Sequence, residues 1–563
     1  MIAGLIILRH RERISTLAPG INNPGLPGAT LPHPTVAGDY QSPDACLFIK
    51  LLYIFLFFDT INLDNLEENM DIIGFDSDKY IKLQSKEIRE RINSFGDKLY
   101  LEFGGKLFDD YHASRVLPGF NPDIKIKMLS SLRDDMEIII VINSADIEKN
   151  KLREDLGITY DLDVLRLIDS FRGYKLRVSS VVLTRFNDQP AVLNFKKRLE
   201  NLGIKVYKHY NISGYPYNLK KVISKDGLGK NEYVETTSSL VVVTAPGPGS
   251  GKMATCLSQM YQDNLRGIKS GYAKFETFPV WNLPLNHPVN LAYEAATADL
   301  NDVNAIDPFH LEAYDVKAVN YNRDIEVFPV LKSIFESIMG QCHYKSPTDM
   351  GVNMAGYCIT DNDVVEKSAK QEIIRRYYSS LVEKKKGLSS NEEIYRLELL
   401  MEKAGVSDLD RPVIEAAQNK EKETGASAFA IEVGENKIVV GKTSELMSPA
   451  CAAILNALKV LSGIDDHIHL IDPKVIEPIQ KLKSNNLHSE SPRLHVNEML
   501  IALAISAVSD TDASKAFNIL SELKGCEAHS TVILSSTETL VLKKLGINTT
   551  FDPKYETQRF FMK

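Results

Sequence analysis

The chain has 563 residues, of which 44% are apolar, 25% charged and 8% aromatic. Those are the proportions of a soluble globular protein, and they exclude wholesale disorder, a collagen-like chain and a polytopic membrane protein. The net charge of −8, from 66 Lys and Arg against 74 Asp and Glu, means that a nucleic-acid role would need a local basic patch.

No such patch is expected. Lys384-Lys385-Lys386 precedes Gly387 and reads as a solvated charge run at a helix C-terminus. The six cysteines are scattered, none in a CxxC pair, and the signature HExxH is absent. A zinc knuckle or thioredoxin-type motif is therefore not expected, no metal site is assigned, and the thiols fit a reduced, cytoplasmic protein.

At roughly 100–200 residues per domain the length holds roughly two to four domains. Residues 1–69 read as a non-globular extension. Six prolines between residues 19 and 43 precede an apolar run, Cys46 to Phe58, interrupted by Lys50. A membrane helix needs about 20 apolar residues, so no membrane span is expected. An anchor and a disordered extension compete with a third reading, the favoured one, in which translation starts at Met70.

Residues 70–340 alternate strand-like runs with helical patterns. The runs are Met136–Ile142, Val178–Leu183, Ile204–Val206 and Leu240–Thr244; Gln189–Leu202 reads as a helix closed by Gly203. This alternation predicts a doubly wound, mainly parallel α/β sheet. Residues 341–425 are read as a helical bridge, with a capping box at Ser390–Glu393. Residues 426–563 are read as a C-terminal α/β domain. A hairpin turns at Gly434-Glu435-Asn436, helices open at Ser448-Pro449 and Asp472-Pro473, and Thr531–Leu534 is expected to be a buried strand.

The sharpest motif runs from Val241 through Thr244-Ala245-Pro246-Gly247-Pro248-Gly249-Ser250-Gly251-Lys252 into a helical pattern. An apolar strand, a glycine-rich turn and a helix start form the layout of a P-loop. Glycines let backbone N–H groups converge on phosphate oxygens, and Lys252 would reach an outer phosphate. Gly247, Gly249, Ser250, Gly251, Lys252 and Thr255 are the cofactor-binding candidates, with ATP or another nucleotide as the expected cofactor. The match is incomplete. Pro246 stands where the first glycine is required, and Met253 stands where a Ser or Thr normally holds Mg²⁺, which puts Mg²⁺ in doubt. The alternative is a tight strand-to-helix turn with a solvent-exposed lysine. Gly441-Lys442-Thr443 follows a hairpin and reads as a strand end.

Lys106, after Gly104-Gly105, and Arg115 could bind phosphate or carboxylate if Lys106–Leu117 is helical. Ion pairs with Asp109 or Asp110 would explain them equally simply. Residues 269–324 are dense in Asn and aromatic side chains. There Pro288 can open a helix carrying Asn290 and Glu294, four apart. They line a polar pocket or cap their own connection. His467, His469, His495 and His529 are read as buried or capping histidines.

From Met70 onward the sequence resembles a bacterial family, domain of unknown function number 1846. The resemblance is carried by Phe75-Asp76-Ser77, Leu101–Lys106, Ala245–Lys252, Gly271–Asn282 and Gly525–Thr531. It implies a cytosolic bacterial protein with an α/β part, a helical part and a C-terminal α/β part, and it supplies no catalytic residues. The expectation is a cytosolic enzyme binding a nucleotide or other phosphorylated small molecule, with no nucleic-acid or membrane partner. A homo-oligomer stays open. A non-catalytic nucleotide-sensing or assembly protein and a metal-dependent hydrolase are the alternatives.

Overall fold

Seven parallel strands make the larger sheet. In chain order they are β1 (Lys98–Phe103), β2 (Met136–Asn143), β3 (Val178–Thr184), β4 (Lys205–Lys208), β5 (Leu240–Thr244), β6 (Ser270–Phe275) and β7 (Gly351–Val352). Their order across the sheet is β7-β6-β1-β5-β2-β3-β4, and every neighbouring pair is parallel. The computed structural model describes residues 73–557 apart from 109, 154, 155 and 435. The readings of residues 1–69, of Met70, of Asp109 and of Glu435 lie outside the described residues.

The order explains the sequence pattern. All residues of β1, β2 and β5 are buried, and these strands are mainly apolar rather than alternating, as parallel strands covered on both faces are; Lys98, Glu102 and Glu137 are the charged residues buried among them. From β1 the chain passes over β5 to reach β2, and β3 and β4 continue outward. From β5 it passes over β1 in the opposite direction to reach β6 and β7. With right-handed crossovers, the rule for such connections, helices then cover both faces. The direction of winding reverses between β1 and β5.

The second sheet is mixed. It comprises β8 (Ala428–Val433), β9 (Lys437–Lys442), β10 (Glu527–Ser530) and β11 (Asn548–Phe551), in the order β9-β8-β10-β11. The predicted hairpin is the antiparallel pair β8–β9. The expected strand at Thr531–Leu534 is corrected: the strand ends at Ser530. Its residues look polar in sequence yet are satisfied inside. His529 Nδ1 lies 2.9 Å from Thr550 Oγ1. Thr531 has left the sheet, its hydroxyl accepting from Ala428 N–H and donating to Glu421.

Helices α1 (Ser77–Phe95), α2 (Tyr111–Val116), α3 (Lys252–Leu265), α4 (Pro288–Ala296), α5 (Asn362–Lys385), α6 (Asn391–Ala404) and α7 (Pro412–Thr424) matter below. One hydrophobic core gathers residues from Phe75 to Ile414, so α5 and α6 pack into the same core as the large sheet. A second core runs from Phe429 to Ile547. The expected capping box on α6 is half formed. Ser390 accepts from Glu393 N–H, while the Glu393 carboxylate turns to the hydroxyls of Ser380 and Ser389. Among the described residues no helix is long and apolar enough to cross a membrane.

Candidate functional site

The carboxyl ends of β1 and β5 lie side by side, with Leu101 opposite Val242 and Glu102 opposite Val243. Each strand runs into a glycine turn, Gly104-Gly105 after β1 and Ala245–Gly251 after β5. The winding reverses between these two connections, and in doubly wound sheets the crevice at such a reversal is where ligands bind.

The turn after β5 is held from beneath. Thr184 Oγ1, at the end of β3, donates to Ser250 O at 2.6 Å. Ser250 Oγ donates to Gly247 O at 2.8 Å. A Cβ on Gly247 would fall 2.3 Å from the Tyr160 hydroxyl, so only glycine lets the turn settle on that ring. Gly251 has φ 92°, in the left-handed region, and caps α3 without a side-chain hydrogen bond. The first N–H groups of α3 are therefore not taken by a cap, and its first turn holds no acidic residue. Such a terminus presents donors and positive potential to an anion.

Lys252 is half-buried at the first position of α3 and makes no hydrogen bond or ion pair among the described residues. Its charge reaches Cys256, one turn on, where it opposes the rise in thiol pKa caused first by burial and then by Glu102. Thr255 is fully buried, its hydroxyl donating back to Gly251 O at 3.0 Å. It supports the turn from within rather than facing the crevice.

A charged cluster closes the other side. Tyr272 and Lys274, two apart on β6, share a face with Glu102. The Tyr272 hydroxyl donates to Glu102 at 2.8 Å, and Lys274 pairs with Glu276 at 2.7 Å and with Asp324. Burial would push the Lys274 ammonium down, but Asp324, Glu276 and Glu102 hold it above its ordinary value. Burial raises the Glu276 carboxyl despite Lys274. Lys274, Glu276 and Asp324 are visible in sequence as polar residues near the turn. Nothing in the sequence marks Glu102, because its role appears only once β1 lies beside β6.

Of the remaining candidates, Lys106 is exposed, and Arg115, Asn290 and Glu294 bond to other parts of the chain. Helix α2 spans only Tyr111–Val116, so Lys106 sits in an exposed loop, not on a helix as considered. Arg115 grips Glu372 on α5 with two bonds of 2.8 and 2.9 Å. Asn290 is fully buried and clamps its own connection: it accepts from Val280 N–H and donates to Val280 O and Pro284 O. Glu294 accepts from Asn304 N–H, and burial raises its carboxyl pKa. Among the described residues no group of three or more His, Cys, Asp or Glu side chains is placed to hold a metal ion.

Beneath Thr255 lies His209, with Nε2 3.1 Å from Glu232 O and Nδ1 3.5 Å from Thr255 Oγ1. Burial depresses it from 6.5 to about 4. The unfolded imidazole takes a proton below about 6.5 and the folded one does not. Its contribution is therefore complete above that value and lost as pH falls toward 4. Between pH 7 and 5.5 this residue is expected to cost about 1 kcal/mol of stability. Chemical denaturation at both values checks it. His209→Gln keeps a donor to Glu232 O and should flatten the dependence; an unchanged slope would count against the assignment.

Two family models cover this chain: "Domain of unknown function DUF1846, N-terminal" matches residues 73–405, and "Domain of unknown function DUF1846, C-terminal" matches residues 409–561. The chain is 56% identical over 490 residues to "UPF0371 protein str1377" of Streptococcus thermophilus (strain CNRZ 1066), covering 87% of this chain and 99% of the relative. It is 56% identical over 494 residues to "UPF0371 protein SpyM50764" of Streptococcus pyogenes serotype M5 (strain Manfredo), covering 88% of this chain and 100% of that relative. The chain belongs to the DUF1846 family, with both of its domains in order.

Proposed function

We propose that the chain binds a phosphorylated small molecule, a nucleotide first among them, in the crevice between β1 and β5, and acts on it as a cytosolic enzyme. One juxtaposition carries this reading. A glycine turn with an uncapped helix start and an unpaired lysine stands at the point where the sheet reverses its winding, opposite a second glycine turn. Backbone N–H groups of residues 247–252 would hold phosphate oxygens, Lys252 would neutralise their charge, and Thr184, Ser250, Thr255 and Tyr160 would fix the turn beforehand. Phosphoryl transfer depends chiefly on such positioning and charge.

Thermal-shift measurements across nucleotides, phosphosugars and inorganic phosphates test the reading, since a ligand that binds only the folded chain raises its melting temperature. No shift from any of them would overturn it. Mg²⁺ is expected to alter the affinity only weakly, because Met253 offers no hydroxyl and that of Thr255 is bonded to Gly251 O. Titration calorimetry with Mg²⁺ and with a chelator checks this. A strict Mg²⁺ requirement would overturn this expectation.

A further inference from the structure

His112 is the second residue of helix α2, whose N-cap, Asp110, pairs with Lys125 at 2.6 Å. Lys125 Nζ lies 3.5 Å from where a Cβ on Gly105 would stand, so this group lies close to the turn after β1. The His112 ring centroid lies 5.8 Å from those of Phe278 and Tyr293, which stack on each other at 4.9 Å. Phe278 follows β6, so His112 belongs to the wall around the carboxyl ends of β1 and β6.

The two ring nitrogens differ. Nδ1 lies 3.0 Å from Glu372 Oε1. Nε2 is buried and has no hydrogen-bond partner among the described residues. Glu372 also receives Arg115, Arg375 and Arg376. Burial pushes its carboxyl up, but Arg115 and Arg375 outweigh that and hold it well below its ordinary value. A carboxylate so held can only accept. A bare Nδ1 lone pair 3.0 Å from it would be repelled, so Nδ1 carries the proton and points it at Glu372. Arg376 Nη2, 3.3 Å from Nδ1, is then a neighbouring cation and not a donor to that nitrogen. Nε2 is left as a buried lone pair with no donor, an arrangement that folded proteins rarely leave unexplained.

We propose that Glu372 and His112 form an oriented dyad whose Nε2 accepts a hydrogen bond from a hydroxyl or amino group of the ligand bound at the β1–β5 crevice. The proposal rests on the phosphate reading for the ligand's anchoring and on the dyad's own geometry for the rest. It narrows the ligand to phosphorylated molecules that carry an O–H or N–H donor, as nucleotides and phosphosugars do. The same dyad can take the proton in turnover. The substrate O–H bond breaks, an Nε2–H bond forms and the oxygen keeps the electron pair as a nucleophile; Glu372 favours the imidazolium, while burial, Arg376 and Arg115 hold its pKa below the ordinary value, so the proton is readily passed on.

The test uses the full chain with ¹⁵N-labelled histidine. Long-range proton–nitrogen spectra should show His112 as the Nδ1–H tautomer, its signals identified by their loss in His112→Asn. That variant keeps a donor where Nδ1 stood and removes the Nε2 lone pair, so its melting temperature should match wild type. ATP and inorganic tripolyphosphate are the two probes. His112→Asn should weaken ATP binding about fivefold, the worth of one neutral hydrogen bond, and leave tripolyphosphate binding unchanged. Protonation at Nε2, or a His112→Asn chain that binds both probes as wild type does, would overturn the dyad. If neither probe stabilises wild type, the phosphate reading fails and the tautomer alone decides the dyad.

Discussion

Replacing Lys252 with alanine is expected to abolish stabilisation by a phosphorylated ligand while leaving the ligand-free chain almost unchanged. Wild type at a ligand concentration 100 times Kd should gain about 2.7 kcal/mol, and Lys252→Ala should gain almost none of it. The ligand-free cost should stay within about 0.5 kcal/mol, because Lys252 makes no hydrogen bond or ion pair among the described residues. A structural lysine would behave in the opposite way, lowering the ligand-free melting point and sparing the ligand effect. Lys252→Arg restores charge but not the compact ammonium, so it should recover only part of the shift. Differential scanning fluorimetry of the three proteins, with and without ATP, separates these outcomes. Equal ATP stabilisation in wild type and Lys252→Ala would sink the assignment of this turn.

Why the turn was legible while its surroundings were not follows from how each is built. The turn, its strand and its helix are contiguous from Leu240 to Leu265, so one sequence window holds the whole pattern. The parallel sheet was legible for a similar reason: its central strands carry unbroken apolar runs, Ile138–Ile142 and Leu240–Val243. The partners of Arg115 and His112 come from elsewhere. Arg115 meets Glu372 across 257 positions, and nothing local distinguishes that pairing from a short-range one. Asn290 was visible as a polar residue at a helix start, but a pocket lining and a clamp on its own loop need the same side chain. Strand β10 was misplaced because Glu527-Ala528-His529-Ser530 is polar. It is buried only because Arg411 and Thr550, from other elements, satisfy it.

Removing the Glu527 carboxylate is expected to destabilise the chain by about 3–5 kcal/mol, the cost of leaving a buried charge without its partner. Arg411, just before α7, is 1% exposed and the largest of the fully buried side chains. Its donors go to Thr550 Oγ1, Gln371 Oε1, Glu527, Ala528 O and Asn548 O. Glu527 also accepts from Arg375 Nη1 at 2.6 Å, and Arg375 Nε reaches Glu372. Four arginines thus share two carboxylates along a line that ties α2 and α5 to the second sheet. Losing Glu527 leaves Arg411 with no carboxylate at all, whereas Arg375 keeps Glu372. Burial lifts the Glu527 carboxyl, but Arg375 and Arg411 outweigh this and depress it. Its contribution is therefore complete above the ordinary carboxyl value, about 4.3, and is lost as pH falls through the depressed one. In Glu527→Ala the second core should loosen first. Circular dichroism, which sees both sheets, should then fall before the fluorescence of Trp281, the single tryptophan, which contacts Asn353 on the side of the large sheet. Adding Arg411→Met should recover part of the loss, since the two substitutions act on one pair and cannot be additive. Coincident transitions with a loss below about 1 kcal/mol would mean that the network is solvated in solution and the two cores are joined by apolar packing alone.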